Sequence, residues 1–276
     1  MRLLAFVALG CAFTFSALAD GDKVPLSKVP TSAQSAIQKQ VADGTLGDIL
    51  QETQDEDIVY DVALTDKAGA DRDFSVSQDG TVLSVEIPLA EAPDAVKASI
   101  QAELSGGSLA SIDKNLADSE ITFDVEGTTK DGTNRDFTVG DDGALLSREV
   151  PLAQTPDAVQ KTIAAQLNGG TVTDIDENFD DDSTNFDVTV ASAAGASTSF
   201  SVAADGSLTA KQVPLAKVPP PVRRAINEKL QYGTVLRVDK SYVKKMGVEP
   251  FQVEGRLDGR PFDFDVGPRG RFLGMD

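Results

Sequence analysis

A segment of 63 residues occurs four times in this chain, and this repetition constrains the fold more than any other feature. Each copy carries a Pro-Leu pair and a second proline five residues after the first, with the two prolines at 25/30, 88/93, 151/156 and 214/219. Self-similarity at a fixed period indicates tandem structural modules. We therefore predict four repeats, over residues 24–86, 87–149, 150–212 and 213–276.

Each repeat shows the same order of local patterns. After the second proline, apolar residues recur at helical spacing, as in Val159, Ile163 and Leu167. Segments with alternating apolar and polar residues follow, separated by glycine-centred turns such as Gly132 and Asp142-Gly143, which are typical of hairpins. The predicted fold class is α+β: one helix packs on a four-stranded antiparallel sheet in each repeat (αββββ), and the other sheet face stays open.

Residues 1–19 have the pattern of a signal peptide. Arg2 precedes an apolar run that ends in Ala17-Leu18-Ala19, the small-x-small pattern before a cleavage point. Cleavage there starts the mature chain at Asp20 and predicts a periplasmic or secreted protein without a transmembrane segment. A lipoprotein box ending at Cys11 is the alternative, but the apolar run continues past Cys11, where a polar tether is expected.

The residue inventory removes several kinds of catalytic chemistry. The chain has one cysteine, inside the predicted signal peptide, and neither histidine nor tryptophan. Thiolate and imidazole catalysis, disulfides and the usual Cys/His zinc sites are therefore excluded from the mature chain. Among 44 acidic residues, carboxylate pairs arise by chance and no single pair stands out from the repeats. We predict that the protein is not an enzyme and uses no cofactor.

The repeats resemble a known domain family. The pattern Val-Pro-x-x-Val-x-x-x-Ile is followed by Gly-Thr, an Ile-Asp strand, an aromatic-Asp-Val strand such as Phe123-Asp124-Val125, and a closing Asp-Gly-x-Leu. This order resembles the PepSY-like domain, which is related to beta-lactamase inhibitor protein, in each repeat from residue 24 to 276. The resemblance implies an exported, non-catalytic module that binds a protein, as an inhibitor or chaperone of an exported enzyme or as a propeptide-like partner.

The resembled inhibitor grips its target with an aromatic-rich open sheet face and a protruding hairpin. In this chain the turns Lys130-Asp131-Gly132 and Asp258-Gly259 match hairpin tips, although solvated turns need no further role. The residues that alternation places on the open face include no aromatic residue and are acidic: Asp48, Asp61, Asp73, Asp124, Glu126, Asp136, Asp174 and Asp187. This difference argues against carrying over beta-lactamase inhibition.

Charge is divided unevenly along the chain. Residues 20–213 hold 36 acidic and 12 basic residues, whereas residues 214–276 hold 8 acidic and 12 basic residues. Arginine together with tyrosine and phenylalanine is typical of interface centres. We therefore predict that the basic fourth repeat binds the partner through Arg223, Arg224, Lys229, Tyr232, Arg237, Tyr242, Lys244 and Lys245. The alternative is that this repeat differs because it caps the array.

Two further functions stay open. An acidic array with a basic end could self-associate as a structural envelope protein, with the fourth repeat of one molecule on the acidic sheet of another. The second open function is that of a module that responds to divalent cations. One segment is rich in carboxylates, whose oxygens are suitable cation ligands: Asp174, Asp176, Glu177, Asp180, Asp181 and Asp182. Their spacing does not match a calcium-binding loop, so we predict a solvated acidic loop and no metal site. Export and the acidic majority argue against nucleic acid.

Overall fold

The four helices of the fold recur at the repeat period. The computed structural model describes residues 21–54, 57–117, 120–180, 183–231, 233–257 and 260–275. The predicted signal peptide with Cys11, the turn at 258–259 and the candidates Tyr232, Asp181 and Asp182 therefore lie outside the described residues. The helices are α1 (Thr31–Val41), α2 (Asp94–Leu104), α3 (Asp157–Gln166) and α4 (Pro220–Leu230).

Strands follow each helix in antiparallel order, which confirms the predicted α+β fold. Those before residue 150 are β1 (Asp22–Lys23), β2 (Thr45–Gln54), β3 (Asp57–Thr65), β4 (Asp71–Ser77), β5 (Val82–Glu86), β6 (Ser108–Asn115), β7 (Thr122–Thr128), β8 (Asn134–Gly140) and β9 (Leu145–Glu149). Those after it are β10 (Thr171–Asp180), β11 (Ser183–Ala191), β12 (Ser197–Ala203), β13 (Leu208–Gln212), β14 (Thr234–Ser241), β15 (Phe251–Leu257), β16 (Arg260–Val266) and β17 (Phe272–Met275).

The two prolines of each repeat set the start of its helix. The first opens a short 3-10 turn, in which the Lys28 N–H donates to the Pro25 carbonyl at 2.8 Å. The second is the residue just before the helix, and its carbonyl accepts the first helical bond, as from the Gln34 N–H to Pro30 at 2.8 Å. Proline suits this position because the first N–H groups of a helix have no helical acceptor.

Each repeat has its own hydrophobic core between its helix and its sheet. In repeat 2, Val96, Ile100 and Leu104 of α2 pack against Ile112, Phe123, Val125, Phe137 and Val139. Equivalent clusters form in the other three repeats. Along β7, Phe123 and Val125 are buried while Asp124 and Glu126 lie half-buried on the opposite face, which we call the open face.

The described chain divides between Arg148 and Glu149 into two compact units, each containing two repeats. In the first unit, β1 to β9 pair in chain order, and β5 joins repeat 1 to repeat 2 by pairing with β6. In the second unit, β10 to β17 pair in chain order, and β13 joins repeat 3 to repeat 4 by pairing with β14. Two repeats therefore share one sheet in each unit.

Over the described part of the chain, no helix has the length and apolar character needed to span a membrane.

Candidate interaction surface

The basic residues predicted to bind a partner lie on two different faces of repeat 4. Arg223, Arg224 and Lys229 belong to α4, where Arg224 and Lys229 are exposed. The Lys229 ammonium lies 3.8 Å from the centre of the Phe272 ring, a cation–π contact that fixes it against the sheet. These three residues therefore form part of the helix-bearing face, away from the open face.

Arg237 lies on the open face, where it neutralises a carboxylate of its own strand. Its guanidinium donates to Asp239 through Nε and, at 3.1 Å, through Nη2, and Nη2 also donates to the Ser199 hydroxyl at 2.8 Å. Burial lowers the pKa of Arg237, but the hydrogen bonds to Asp239 and the charges of Asp239, Glu254 and Asp187 together raise it by more. The guanidinium is half-buried and holds β12 and β14 together, so it serves the second unit's own sheet.

Lys245 also pairs within the unit. Its ammonium lies 2.5 Å from Oδ2 of Asp265, a carboxylate with no exposed surface. A buried carboxylate is costly unless a cation is close to it. The predicted set is thus divided: Arg237 and Lys245 satisfy internal charges, while Arg224, Lys229, Tyr242 and Lys244 remain exposed.

Residues 242–250, which connect β14 to β15, form what we call the repeat-4 loop. The ammonium of Lys240 pins its base by donating to the carbonyls of Ser241 and Glu249, both at 2.9 Å, and to Glu249 Oε2 at 3.2 Å. The Tyr242 N–H donates to the Thr209 carbonyl of β13 at 2.8 Å. At the tip, Lys245 and Val248 exchange backbone hydrogen bonds. The loop is therefore held in one conformation at both base and tip.

This fixed loop exposes large apolar side chains. Tyr242 is 41% exposed, Val243 58% and Met246 69%, and they are the three most exposed of the large hydrophobic residues in the described chain. Lys244 lies between them in sequence and is exposed too. The structure therefore brings the predicted residues Tyr242 and Lys244 together with Val243 and Met246, which the sequence analysis missed. A signal existed, since this connection is longer than the β10–β11 connection of repeat 3.

The open face of the first unit carries a line of carboxylates, which we call the acidic row: Asp73, Glu86, Asp113 and Asp124. Glu86 stands directly opposite Asp113, and Asp113 opposite Asp124, on adjacent strands. Burial, followed by the charges of Glu86, Asp124, Glu126 and Asp73 in that order, raises the pKa of Asp113 to about 7. At neutral pH the carboxyl group of Asp113 is therefore partly protonated.

Crowded carboxylates also occur on the open face of the second unit. Burial, followed by the charge of Asp174, raises the pKa of Asp176 to about 8, and Asp187 and Glu149 contribute in the same direction. Asp174, Asp176 and Glu177 lie in the ten-residue strand β10. The predicted solvated acidic loop was thus wrong for these residues, because Phe179 and the buried Ile175 give this segment a strand pattern that extends to Asp180.

Among the described side chains, no group of three or more Asp, Glu, Cys or His is arranged to hold a metal ion.

Comparisons with known proteins identify a domain within the first unit. A family model described as "Putative beta-lactamase-inhibitor-like, PepSY-like" matches residues 59–147, so a PepSY-like domain spans the later strands of repeat 1 and nearly all of repeat 2. No curated protein matches the chain.

Several solved structures from Bacteroides are similar to about half of the chain. One, a "putative calcium-regulated periplasmic protein" from Bacteroides thetaiotaomicron, is 15% identical with a TM-score of 0.30, over 47% of this chain and 96% of that one. A DUF2874 family protein from Bacteroides ovatus is 17% identical with a TM-score of 0.33, over 45% and 87%. A "putative periplasmic protein" of the same family from Bacteroides vulgatus is 18% identical with a TM-score of 0.29, over 49% and 100%.

Proposed function

We propose that this chain is an exported, non-catalytic protein that binds another protein in the periplasm or outside the cell. The repeat-4 loop makes the central contact in this proposal. The observation that carries it is the concentration of three exposed large hydrophobic side chains, Tyr242, Val243 and Met246, on one loop. Exposed apolar groups that lie together, unlike single scattered ones, are characteristic of protein-binding sites.

The rigidity of the loop supports this role. Binding costs less conformational entropy when the contacting segment already has its bound shape. The bonds from Lys240 and from the Tyr242 N–H fix the loop before any partner arrives. Tyrosine and methionine are enriched in the desolvated centre of interfaces, whereas lysine belongs at the rim. Lys244 has that rim position beside the three apolar side chains.

The partner we propose is an exported enzyme or an envelope component, with the chain acting as its inhibitor or chaperone. The matched family model, with its inhibitor-like description, supports this class of partner. The exposed cations Arg224 and Lys229 on α4 favour a partner with an acidic surface, because complementary charge accelerates association. Among its described residues, the acidic open face has no exposed aromatic anchor, so it is the weaker candidate for this contact.

The test is affinity capture from the native envelope or culture fluid with residues 20–276 as bait. A triple variant, Tyr242→Ala/Val243→Ser/Met246→Ser, removes the apolar surface of the repeat-4 loop. The matched control is Leu116→Ser/Ile121→Ser, which changes the two exposed apolar residues of the corresponding β6–β7 connection in repeat 2. We expect one protein to be enriched by the wild type and the control and lost with the triple variant.

Affinity measured with the purified partner makes the test quantitative. Truncating an anchor at an interface centre costs more than about 1 kcal/mol, so three such changes should weaken the Kd by at least roughly 100-fold. Equal affinity of the triple variant and the wild type would place the binding site elsewhere and overturn the proposal.

A further inference from the structure

The fourth strand of a repeat normally has neighbours on both sides. In repeat 1, β5 pairs with β4 on one side and with β6 of the next repeat on the other. In repeat 3, β13 lies between β12 and β14 in the same way. The fourth strand of repeat 4 is β17, and it pairs with β16. Within the described ranges, no strand pairs with the other edge of β17.

The hydrogen-bonding groups on that edge can be identified from the equivalent strands. Val82 in β5 stands opposite Val76, as Phe272 in β17 stands opposite Val266, so Leu273 occupies the position of Leu83. The Leu83 carbonyl accepts a hydrogen bond from the Leu116 N–H of the next repeat at 2.7 Å. The backbone N–H and carbonyl of Leu273 therefore point away from β16. An edge with free backbone groups is a template for adding a strand.

The matching edge at the other end of the array belongs to β2, the first strand of repeat 1. A two-residue strand, β1, covers it, with Asp22 opposite Gln51 and Lys23 opposite Leu50. The Val24 N–H donates to the Ile49 carbonyl at 2.9 Å, just as Ile87 donates to Ile112 at the junction of repeats 1 and 2. Residues 22–23 thus occupy the place that β5 occupies beside β6, but with two exposed residues instead of a five-residue strand.

We propose that β17 of one molecule pairs with β2 of a second copy of this chain, in the register that joins repeat 1 to repeat 2, and that β1 is displaced from β2. This register places Leu273 opposite Thr53 and Gly274 opposite Glu52 of the other copy. It extends the array of repeats from one molecule to the next without a covalent link. The contact joins two different surfaces, so successive copies form chains or rings.

Charge complementarity favours a second copy as the occupant of the β17 edge. Arg269 and Arg271 immediately precede β17 and are exposed, while β2 contributes the carboxylates Asp48 and Glu52. Opposite charges on the two surfaces favour this pairing and make it dependent on salt. The inference is independent of the proposed function, since the repeat-4 loop lies beside β13 at the other side of repeat 4.

The first experiment is analytical ultracentrifugation of residues 20–276 from micromolar to millimolar concentration, at low and at high salt. We expect a distribution of oligomers that grows with concentration and shrinks with salt. Leu273→Pro removes the outward N–H, and proline is tolerated at the solvent-facing edge of a sheet; this variant should be monomeric. Leu273→Ala keeps the N–H and is the matched control that should still associate. A monomeric wild type at every concentration would overturn the proposal.

A second variant leaves β17 unchanged, so it tests the proposal even if the proline variant misfolds. Lys23 and Leu50 stand opposite each other in a non-hydrogen-bonded pair, the position where two strands come closest and a disulfide can form. In Lys23→Cys/Leu50→Cys, oxidation fixes β1 on β2 and should abolish association, while reduction should restore it. Association that is the same in the oxidised and reduced states would exclude β2 as the acceptor and overturn the proposal.

Discussion

At the scale of single residues, repeats 2 and 4 differ in the surroundings of one carboxylate on the open face. Asp113 of repeat 2 and Asp239 of repeat 4 have the same position, each opposite the last residue of the preceding strand. Asp239 is bonded to Arg237, whereas the residue in the place of Arg237 in repeat 2 is Ser111. Asp113 faces Glu86 and Asp124 instead. In repeat 4 the residues opposite Asp239 are Gln212 and Gln252. Asp239 therefore has a cation beside it and no facing carboxylate, whereas Asp113 has two facing carboxylates and no such cation.

This difference predicts a pH dependence for the first unit. The folded pKa of Asp113 is about 7 and its ordinary value is 3.8, so between these values the folded state binds more protons than the unfolded state. The free energy of unfolding therefore falls as the pH rises through this window. Asp113→Asn should raise it at pH 8 by roughly 1–3 kcal/mol, allowing for partial solvent screening, and should change it little at pH 4.

Urea denaturation across this pH range measures the effect. Asp141→Asn is the control, because it removes the same charge from an exposed turn of the same unit and should shift stability by less than about 0.5 kcal/mol. A loss of stability in Asp113→Asn at pH 8 would show that the carboxylate is needed in its charged form.

At the scale of secondary structure elements, the last hairpin turn of each repeat packs on the start of the helix. Ser99 of α2 donates from its hydroxyl to the Gly143 carbonyl at 2.6 Å, and Thr162 of α3 donates to Gly206 at 2.6 Å. Gly143 has a φ of +86°, and a Cβ added there would approach the backbone of Ala95 to 2.9 Å. The turn is thus both a sharp reversal of the chain and a packing surface.

A comparison of two glycines separates these requirements. Gly132, in the preceding turn of the same repeat, has a φ of +87° with nothing within 4 Å of an added Cβ. Gly132→Ala should cost only the backbone strain, roughly 1 kcal/mol, while Gly143→Ala should cost roughly 2–4 kcal/mol because it also displaces α2. Thermal and urea unfolding followed by circular dichroism give both values. Equal losses of stability in the two variants would mean that the contact between the turn at Gly143 and α2 contributes nothing to stability.

At the scale of the whole molecule, the structural unit is a pair of repeats. In the first unit, pairing of Ser84, Val85 and Glu86 with residues of β6 joins repeat 1 to repeat 2. A single repeat of about 63 residues buries a small core and is only marginally stable alone. Sharing a sheet covers the edge of β5 and fixes two cores relative to each other.

The pairing predicts how the chain can be divided. Residues 20–148, which contain the first unit, should melt in one cooperative transition when expressed alone. Residues 20–86 should lack such a transition, because the cut removes β6 and exposes the edge of β5. Circular dichroism melting of the two fragments, beside the full chain, provides the measurement. A melting temperature for residues 20–86 equal to that of residues 20–148 would show that repeats fold independently.

The sequence predicted the fold well because the same pattern of prolines and alternating residues occurs in each of the four repeats. Prolines at a fixed spacing mark the helix starts, and alternation such as Phe123-Asp124-Val125 identifies the strands. It predicted the candidate site less well: Arg237 bonds to Asp239 of its own strand, and Lys245 pairs with Asp265, which comes near it only after folding. The sequence analysis missed Val243 and Met246, because a sequence does not show whether an apolar residue in a loop is buried or exposed.

The sequence by itself therefore determined the local structure: four repeats, the order of helix and strands in each, and the acidic character of one sheet face. Those properties depend on neighbours in the chain, and periodicity records them directly. Only the tertiary structure decided that repeats join in pairs through β5–β6 and β13–β14, that β1 covers β2 while the outer edge of β17 has no partner strand in the described chain, and which cations are already paired. Backbone hydrogen bonds between repeats involve groups that every residue carries, so no residue type marks them in advance.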